Sequence, residues 1–353
     1  MSIQIDLRSD TVTRPSPAML EAMTSAEVGD DVFREDPTVR RLEQRAAELV
    51  GHEDSTFVPS GTMGNQIALH LHGRPGGEVI CERRSHIVLY EMGAMATISG
   101  LQPRTADGVD GVLAVADLEP LVALDVPYRS RSALLALENS HNMAGGRLLP
   151  PQRQEELVAF ARRHGLPVHL DGARVFNAAA GLGVPVDRLT ATVDSVMFCL
   201  SKGLGAPVGS LLCGSADFIH EARRVRKMLG GGLRQVGILA AAGLVALEEG
   251  PRHLLQDHQN ARYLADELAQ TPGIEIDPQT VETNIVIFGI TAEQWSGQPA
   301  GENPAGRLGQ DLAEQGVGSV PVSRHELRWV THRDVSREQL RGAVTTLRRI
   351  LGT

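Results

Sequence analysis

Lysine is almost absent from this sequence. Among its 34 lysine and arginine residues, only Lys202 and Lys227 are lysines. A guanidinium group stays charged and cannot form an imine, whereas a lysine amine can attack a carbonyl group. A coding bias toward arginine could leave two lysines by chance. Because Lys202 directly follows a strand-like apolar run, it is the first candidate for amine chemistry.

Long apolar runs and a net basic charge are absent too. No stretch approaches the roughly 18 apolar residues of a membrane-spanning helix, and Asp6 and Arg8 interrupt the start of the chain with charges. We therefore expect a cytoplasmic protein without a membrane partner. The formal net charge of −9 argues against a nucleic-acid partner, which would need a basic surface. The one basic run, residues 223–227, is typical of a solvated helix face.

Cysteine is sparse, and metal-binding patterns are missing. Cys81, Cys199 and Cys213 lie in apolar segments, which predicts buried reduced thiols rather than disulfides. His70 and His72 have no closely spaced cysteine or carboxylate partner, and no His-Glu-x-x-His motif occurs. We therefore expect no catalytic metal.

Short apolar runs alternate with helical patterns through the first 250 residues. Several of these runs are nearly continuous in apolar residues, as in strands that are covered on both faces of a parallel sheet. The predicted strands cover residues 55–58, 78–81, 133–137, 167–171, 195–200 and 209–213, and helices fit between them, for example over 65–71 and 152–164. The sequence therefore predicts an α/β fold with a mostly parallel sheet, whose ligands bind at the carboxyl ends of the strands.

The pattern changes after Gly250. The elements predicted there are a helix over 251–270, strands over 284–288 and 327–331, and a final helix that a capping box of Ser336 and Gln339 introduces. We predict a large domain over residues 1–250, with an N-terminal arm over 1–15, and a smaller α/β domain over 251–353. Residues 292–304 are rich in glycine, proline and polar residues, which predicts a loop.

An acidic residue precedes Lys202 in a suggestive position. Asp171 ends the predicted strand over residues 167–171. A carboxylate there could pair with the protonated pyridine nitrogen of pyridoxal phosphate, so that the ring can accept electrons from a carbanion. An aspartate after a strand often only caps the next segment. The spacing between Asp171 and Lys202 favours the cofactor role.

A second polar segment, residues 59–65, follows a strand and opens a helix. Ser60, Gly61 and Thr62 would present free backbone N–H groups and the positive end of the helix dipole to a phosphate. The same residues are ordinary N-caps when they occur alone. The segment matches neither the P-loop nor the Gly-x-Gly-x-x-Gly spacing, which disfavours a nucleotide cofactor.

Taken in order, these motifs resemble the low-specificity L-threonine aldolase family of pyridoxal 5′-phosphate enzymes, which has the aspartate-aminotransferase fold, fold type I. The resemblance extends over nearly the whole length. It implies the seven-stranded, mostly parallel sheet of the large domain of these enzymes. The matching segments are residues 6–15, 28–32, 59–65, 138–142, 171–174, 201–205, 230–235 and 330–332.

The resemblance implies a role for each matched residue. The expected cofactor contacts are a Schiff base with Lys202, Asp171 on the pyridine nitrogen, Ser60, Gly61 and Thr62 on the phosphate, His86 stacked on the ring, Arg174 nearby, and Arg234 reaching the phosphate from a neighbouring subunit. The expected substrate contacts are His141 at the β-hydroxyl group, and Ser9, Arg174 and Arg328 at the carboxylate. Lys227 could add charge near the phosphate or simply be solvated.

General chemistry supports two of these roles. Histidine titrates near neutrality, so His141 is the leading candidate for the base that takes the β-hydroxyl proton. An arginine fork can bond both oxygens of a carboxylate. Arg174 is the better-supported clamp because it lies three residues beyond Asp171, whereas Arg328 depends on the resemblance alone.

The implied activity is retro-aldol cleavage of L-threonine, L-allo-threonine and related β-hydroxy-α-amino acids to glycine and an aldehyde, by a homo-oligomer built as a dimer of dimers. Two alternatives stay open. One is β-elimination on the same scaffold, and the other is a non-catalytic regulatory protein that binds pyridoxal phosphate. The chain departs from the family at Phe33, where tyrosine is common, and this departure removes a hydroxyl group near the expected site.

Overall fold

The computed structural model describes residues 3–291 and 303–353. The predicted loop over residues 292–304 therefore lies almost entirely outside the described residues. In chain order the strands are β1 (Ile5–Asp6), β2 (Asp54–Val58), β3 (Glu78–Glu82), β4 (Gln102–Ala106), β5 (Ser132–Glu138), β6 (Val168–Asp171), β7 (Ser195–Cys199), β8 (Ser210–Gly214), β9 (Ile274–Glu275), β10 (Ile285–Ile290), β11 (Val317–Gly318), β12 (Val320–Pro321) and β13 (Glu326–Val330).

The α-helices connect and cover these strands. They are α1 (Pro17–Thr24), α2 (Pro37–Val50), α3 (Gly61–His72), α4 (His86–Leu89), α5 (Ala94–Ser99), α6 (Val115–Leu118), α7 (Pro151–Arg163), α8 (Val175–Leu182), α9 (Asp187–Thr190), α10 (Ala216–Met228), α11 (Gly237–Glu249), α12 (Pro251–Ala269), α13 (Pro304–Glu314) and α14 (Arg337–Leu351). The strands and helices that the sequence predicts all occur, within a few residues at each end. The predicted capping box of α14 is formed by Ser336 and Gln339.

The central sheet has seven strands in the order β2-β8-β7-β6-β5-β3-β4. All neighbours are parallel except β8, which runs antiparallel to both β2 and β7. This arrangement confirms the predicted mostly parallel seven-stranded sheet. Since β8 is antiparallel to both of its neighbours, β2 and β7 run in the same direction. The carboxyl ends of β2, β6 and β7 therefore lie at the same edge of the sheet.

Both faces of the sheet are buried, as the continuous apolar runs predict. Side chains alternate along β7, so that Phe198 joins the core on one face while Met197 and Cys199 join the core on the other. Helices α3 and α10 cover this second face, where Ile67 and Ile219 contact it. The end of β7 therefore presents Met197 and Cys199 to the amino end of α3.

A second core surrounds the antiparallel sheet β12-β13-β10-β9. Its largest members are Trp329 and Phe288, whose rings meet edge to face at 5.1 Å. The N-terminal arm joins this core, because β1 pairs with β11 and Leu7 is buried there. Helix α12 contributes Leu254 to the first core and Leu264 to the second. The proposed domain boundary at residues 250 and 251 stays a prediction.

Two simpler expectations concern thiols and membranes. Cys81, Cys199 and Cys213 are all buried and free, and burial raises the pKa of the Cys81 thiol to about 12. The free, buried state of all three confirms the prediction of buried thiols without disulfides. Across residues 3–291 and 303–353, none of the helices combines the length and the apolar character that crossing a bilayer requires.

Candidate active site

A cavity of about 300 Å³ opens where β2, β6 and β7 end. Six residues that were predicted from separate motifs line it together, namely Ser60, Gly61, Thr62, His86, Asp171 and Lys202. Thr11, Asn65, Met197 and Cys199 complete much of its wall. The parallel sheet produces this meeting, because each residue lies at or just beyond the carboxyl end of a strand.

The amino end of α3 forms one wall of the cavity. Ser60 is the N-cap, and its hydroxyl oxygen accepts a hydrogen bond from the Met63 N–H. The first N–H groups of a helix have no partner inside the helix, so those of Gly61 and Thr62 are available to a ligand. A Cβ atom on Gly61 would come within 2.9 Å of Cys199 Sγ. Glycine is therefore needed for the helix to start this close to β7.

Asp171, the last residue of β6, is buried and firmly oriented. Its Oδ1 atom accepts the Ala173 N–H at 3.0 Å, and its Oδ2 atom accepts the Asn65 side-chain N–H at 2.8 Å. The second N–H of the Asn65 amide is donated to Glu91 at 2.9 Å. Glu91 also accepts from Gln66 at 2.5 Å. These hydrogen bonds fix the plane of the Asp171 carboxylate at the cavity wall.

His86 lies between this network and the cavity. Its Nδ1 atom is 3.0 Å from Glu91 Oε1, and its main-chain N–H is donated to Glu138 at 2.7 Å. Burial lowers the pKa of His86, but the hydrogen bond to Glu91 and the charge of Asp171 together raise it above the ordinary histidine value. His86, Glu91 and Asp171 are close enough to hold a metal ion. The hydrogen bonds from Asn65 and Gln66 account for their clustering.

The predicted carboxylate clamp differs from expectation. Arg174 is buried, and its Nε and Nη2 atoms donate to Asp10 at 2.8 and 2.7 Å. Asp10 also accepts from Asn284 at 3.2 Å, and the charge and hydrogen bonds of Arg174 hold its pKa well below the ordinary value despite burial. None of the three predicted carboxylate contacts, Ser9, Arg174 and Arg328, is among the residues that line the Lys202 cavity. The better-supported clamp is thus already bound to a carboxylate of the chain itself.

Arg328 keeps more of its hydrogen-bonding capacity. Its Nη1 atom donates to Asn142 Oδ1 at 2.9 Å, and Arg174 Nη1 approaches the same oxygen at 3.4 Å. The Nε atom of Arg328 is buried and has no partner among the described residues. Burial, and then the charge of Arg174, lower the pKa of Arg328. Ser9 caps the turn before Asp10, accepting the Thr11 N–H at 3.2 Å.

His141 is not among the residues that line the Lys202 cavity. It is 2% exposed, and its Nε2 atom lies 3.1 Å from Glu82 Oε2. Its Nδ1 atom has no partner within the described part of the chain. Burial lowers the pKa of His141, but the charge of Glu138 and the hydrogen bond to Glu82 raise it above the usual value. Glu138 links it to the cavity, since Glu138 binds the main chain of both His86 and Asn142.

The two remaining candidates lie elsewhere in this chain. Arg234 is exposed and pairs with Asp30 at 3.2 Å. Lys227 lines a separate cavity of about 490 Å³ with Arg34, Arg223, Arg224 and Arg226 among its walls. The interpretation of residues 223–227 as a solvated face is wrong for Arg226, which is buried and bonds Asp31 at 2.8 Å and the Phe57 carbonyl at 2.7 Å. Phe33 is 69% exposed.

Sequence reasoning missed Asp10, Asn65, Glu91 and Asn142. None has a local signature, because each acts through a partner far away in the chain; Asp10 and Arg174 are 164 residues apart. Asp10, Asn65 and Asn142 do fall within the segments that resemble known enzymes. Position within such a segment was the only signal available for them.

Comparison with known proteins defines the family. A family model described as beta-eliminating lyase matches residues 6–291. Low-specificity L-threonine aldolase 1 of Arabidopsis thaliana is 45% identical over 339 residues, which are 94% of this chain and 92% of that protein. The low specificity L-threonine aldolase of Escherichia coli K12 is 44% identical over 95% of this chain and 96% of its own length.

Solved structures agree on the fold. The structure of Leishmania major threonine aldolase superimposes with a TM-score of 0.79 at 21% identity, covering 98% of this chain and 99% of that one. Serine palmitoyltransferase of Sphingomonas wittichii superimposes with a TM-score of 0.74 at 20% identity, covering 98% and 87%. At these identities the likeness concerns architecture alone. From the family match and the close relatives together, this chain belongs to the beta-eliminating lyase family, in the branch that contains the low-specificity L-threonine aldolases.

Proposed function

We propose that this protein binds pyridoxal 5′-phosphate and cleaves the Cα–Cβ bond of L-threonine, L-allo-threonine and related β-hydroxy-α-amino acids, giving glycine and an aldehyde. One observation carries the proposal. Lys202, Asp171, His86 and the amino end of α3 share one cavity, in a chain that is 45% identical to a low-specificity L-threonine aldolase over 94% of its length.

The residues of the cavity fit the chemical groups of the cofactor. Lys202 offers the amine that an aldehyde requires. The oriented carboxylate of Asp171 suits a protonated pyridine nitrogen, and the N–H groups at the start of α3 suit a phosphate. When bound, the cofactor supplies an electron sink for the pair of electrons left on Cα as the Cα–Cβ bond breaks. Both oxygens of Asp171 accept N–H groups of the chain, which holds the carboxylate in a fixed orientation for this contact.

The substrate carboxylate is best assigned to Arg328. Its Nε atom is buried without a partner, so a carboxylate would satisfy a donor that the described chain leaves unpaired. Arg174 instead supports the site, because Asp10 holds its fork and Asn142 lies between the two arginines. Replacement of Arg328 by lysine keeps the charge but loses the planar fork. We expect this variant to raise KM for L-threonine by roughly tenfold with a smaller change in kcat.

Two histidines compete for the role of proton acceptor, and we assign it to His141. The Nδ1 atom of His141 has no hydrogen-bond partner among the described residues. The hydrogen bond between Nε2 and Glu82 fixes the orientation of the ring. His86 lines the cavity and is assigned to contact the cofactor. The assignment predicts that His141→Phe lowers kcat but leaves cofactor affinity intact, whereas His86→Phe weakens cofactor binding. The opposite pair of results would reverse the two roles.

The essential test is to remove the Lys202 amine. The Lys202→Ala variant should lose turnover and the visible absorption of the bound cofactor, while Lys227→Ala, whose side chain lines another cavity, should keep both. Normal glycine release by the Lys202→Ala protein would refute the proposal. The description of the matching family favours β-elimination as the second candidate reaction. Measuring glycine and aldehyde against pyruvate and ammonia separates the two.

We also propose a cytoplasmic homo-oligomer, at least a dimer and most simply a dimer of dimers. Arg234 supports this, because it is exposed and lies outside the Lys202 cavity of its own chain, so it could reach a phosphate only in another copy. Mixing inactive Lys202→Ala and Arg234→Ala proteins should then restore partial activity, since one site per mixed pair regains both residues. No recovery after subunit exchange, with each variant folded, would contradict a shared site.

A further inference from the structure

A chain of buried hydrogen bonds leads from Asp171 into the protein, through the Asn65 side chain that also lines the cavity. It starts at the Asn65 amide, which donates to Asp171 at 2.8 Å. Asn65 Oδ1 is 3.0 Å from His169 Nε2, and His169 Nδ1 is 2.9 Å from the Ser195 hydroxyl. His72 Nε2 lies 2.8 Å from the same hydroxyl. Asn65, His169 and Ser195 are each at most 1% exposed, so no solvent competes for these bonds.

The two carboxylates decide the direction of every bond in this chain. Asp171 and Glu91 both face the Asn65 nitrogen, and ionised carboxylates only accept hydrogen bonds. The amide must therefore use both N–H groups there, which leaves Oδ1 as an acceptor for His169. His169 must then carry its proton on Nε2, and its Nδ1 atom accepts from the Ser195 hydroxyl. Ser195 in turn accepts the N–H of His72.

Neutral histidines make this direction possible. Burial, together with the charge of His72, lowers the pKa of His169 to about 3. Burial also lowers the pKa of His72 to about 4, although the charge of Asp194 opposes the change. Each ring thus has one N–H group near neutral pH, as the direction requires. Because an amide cannot hand on a proton, the chain orients Asp171 and does not conduct protons to it.

We propose that His169 is a positioning residue for the cofactor, which holds the Asn65 amide so that only N–H groups face Asp171. The inference rests on the proposed function, because it assigns to Asp171 the contact with the cofactor. Without the Nε2–H of His169, the buried Oδ1 atom of Asn65 would have no donor, and the amide would lose the bond that holds it from the side opposite the carboxylates. The amide could then shift, which would weaken its hydrogen bond to Asp171 and the orientation of that carboxylate.

The sheet explains why His169 can hold the amide so firmly. His169 lies on β6 two residues before Asp171, so both side chains point to the same face of the sheet. Ser195 on β7 is the register partner of His169. His169 and Asp171 are thereby fixed on β6, and Ser195 is fixed on the adjacent central strand β7. The imidazole needs no loop to keep its place.

The test compares His169→Leu with His169→Gln, whose amide can still donate a hydrogen bond. His52→Leu is the matched control, because His52 bonds the Thr190 carbonyl at 3.0 Å in the same domain but outside this network. Each full-length protein is titrated with pyridoxal 5′-phosphate, and the visible absorbance of the bound cofactor is followed against pH. Melting temperatures report the general cost of each substitution.

We expect His169→Leu to weaken cofactor affinity by roughly tenfold and to displace the midpoint of the absorbance titration by at least about half a pH unit. His169→Gln should restore most of both, and His52→Leu should change only the melting temperature. A folded His169→Leu protein that matches the wild type in affinity and midpoint overturns the inference. If this variant does not fold, Ser195→Ala, which deletes one hydroxyl group, decides in the same way.

Failure of the proposed function would look different. Wild-type protein that binds no cofactor would overturn both proposals at once. Wild-type protein that binds cofactor, together with a His169→Leu variant indistinguishable from it, would overturn only the role of His169. Loss of affinity in both His169→Leu and His52→Leu, in proportion to their melting temperatures, would indicate a general packing effect and would also overturn it.

Discussion

Replacing the buried carboxyl of Asp257 by an amide should change how the stability of this protein depends on pH. Asp257 lies on α12, is 2% exposed, and has an Oδ2 atom without a partner among the described residues. Burial, with a further contribution from the charge of Asp10, raises its pKa to about 7; Arg333 opposes the shift and Asp334 adds to it. In the folded protein the Asp257 carboxyl therefore stays protonated up to about pH 7.

The sign follows from the two pKa values. Between about pH 4 and pH 7 folded Asp257 keeps a proton that the unfolded chain has released. The free energy of unfolding must therefore fall as the pH rises through this range, and it stays at the lower value above it. With 1.36 kcal/mol per pKa unit, the loss amounts to about 4 kcal/mol at most. An asparagine cannot ionise, so Asp257→Asn should escape this loss.

The measurement is the melting temperature of both proteins between pH 4.5 and pH 8.5, with Asp266→Asn as the control on the exposed face of the same helix. Asp257→Asn should match the wild type at the acid end and exceed it increasingly toward pH 8. Parallel curves for the two proteins would refute the reasoning. The replacement of Asp257 should also affect the candidate active site. The Thr331 hydroxyl donates to the main-chain carbonyls of Asp257 and Asn284, and the Asn284 side chain donates to Asp10.

Three further changes have definite outcomes. Asp10→Ala leaves the buried Arg174 guanidinium unpaired, so we expect a loss of about 3–5 kcal/mol in the free energy of unfolding and a raised KM, measured by urea denaturation and steady-state kinetics; unchanged KM would contradict the supporting role. Arg226→Met should lower the melting temperature far more than the exposed Arg224→Met does, and equal effects would contradict the buried ion pair. Ser336→Ala should cost about 1 kcal/mol in urea denaturation through the lost cap, with kcat unchanged.

Much of the fold was predictable because apolar patterning is local. Strands β3, β5, β6, β7 and β8 are short runs that are rich in apolar residues, and such runs stand out in a sequence. The edge strand β4, with the sequence Gln-Pro-Arg-Thr-Ala, was missed because it is polar and contains proline, which only an edge tolerates. The antiparallel direction of β8 was not foreseeable either, since an apolar run carries no information about its direction.

The sequence predicted several residues that meet at the Lys202 cavity, but it did not predict the partners of Arg174. Asp171 ends β6 and Lys202 follows β7, so the sheet itself brings them together. Whether Arg174 is free to bind a substrate depends on Asp10, which arrives from the N-terminal arm, 164 residues away. No local pattern describes such a pair. This pairing is the reason that the proposed function assigns the substrate carboxylate to Arg328 rather than to Arg174.

The scarcity of lysine acquires a physical meaning in the structure. The buried cations Arg174 and Arg226 each satisfy a buried carboxylate and a further acceptor with one planar fork, a geometry that an ammonium group cannot reproduce. Arginine at such positions also adds no amine that an aldehyde could attack. Lys202 therefore faces the cavity with Lys227 as the only other side-chain amine in the sequence, and Lys227 lines a different cavity. In the proposed function, an aldehyde cofactor in this cavity therefore meets Lys202 without a competing lysine amine.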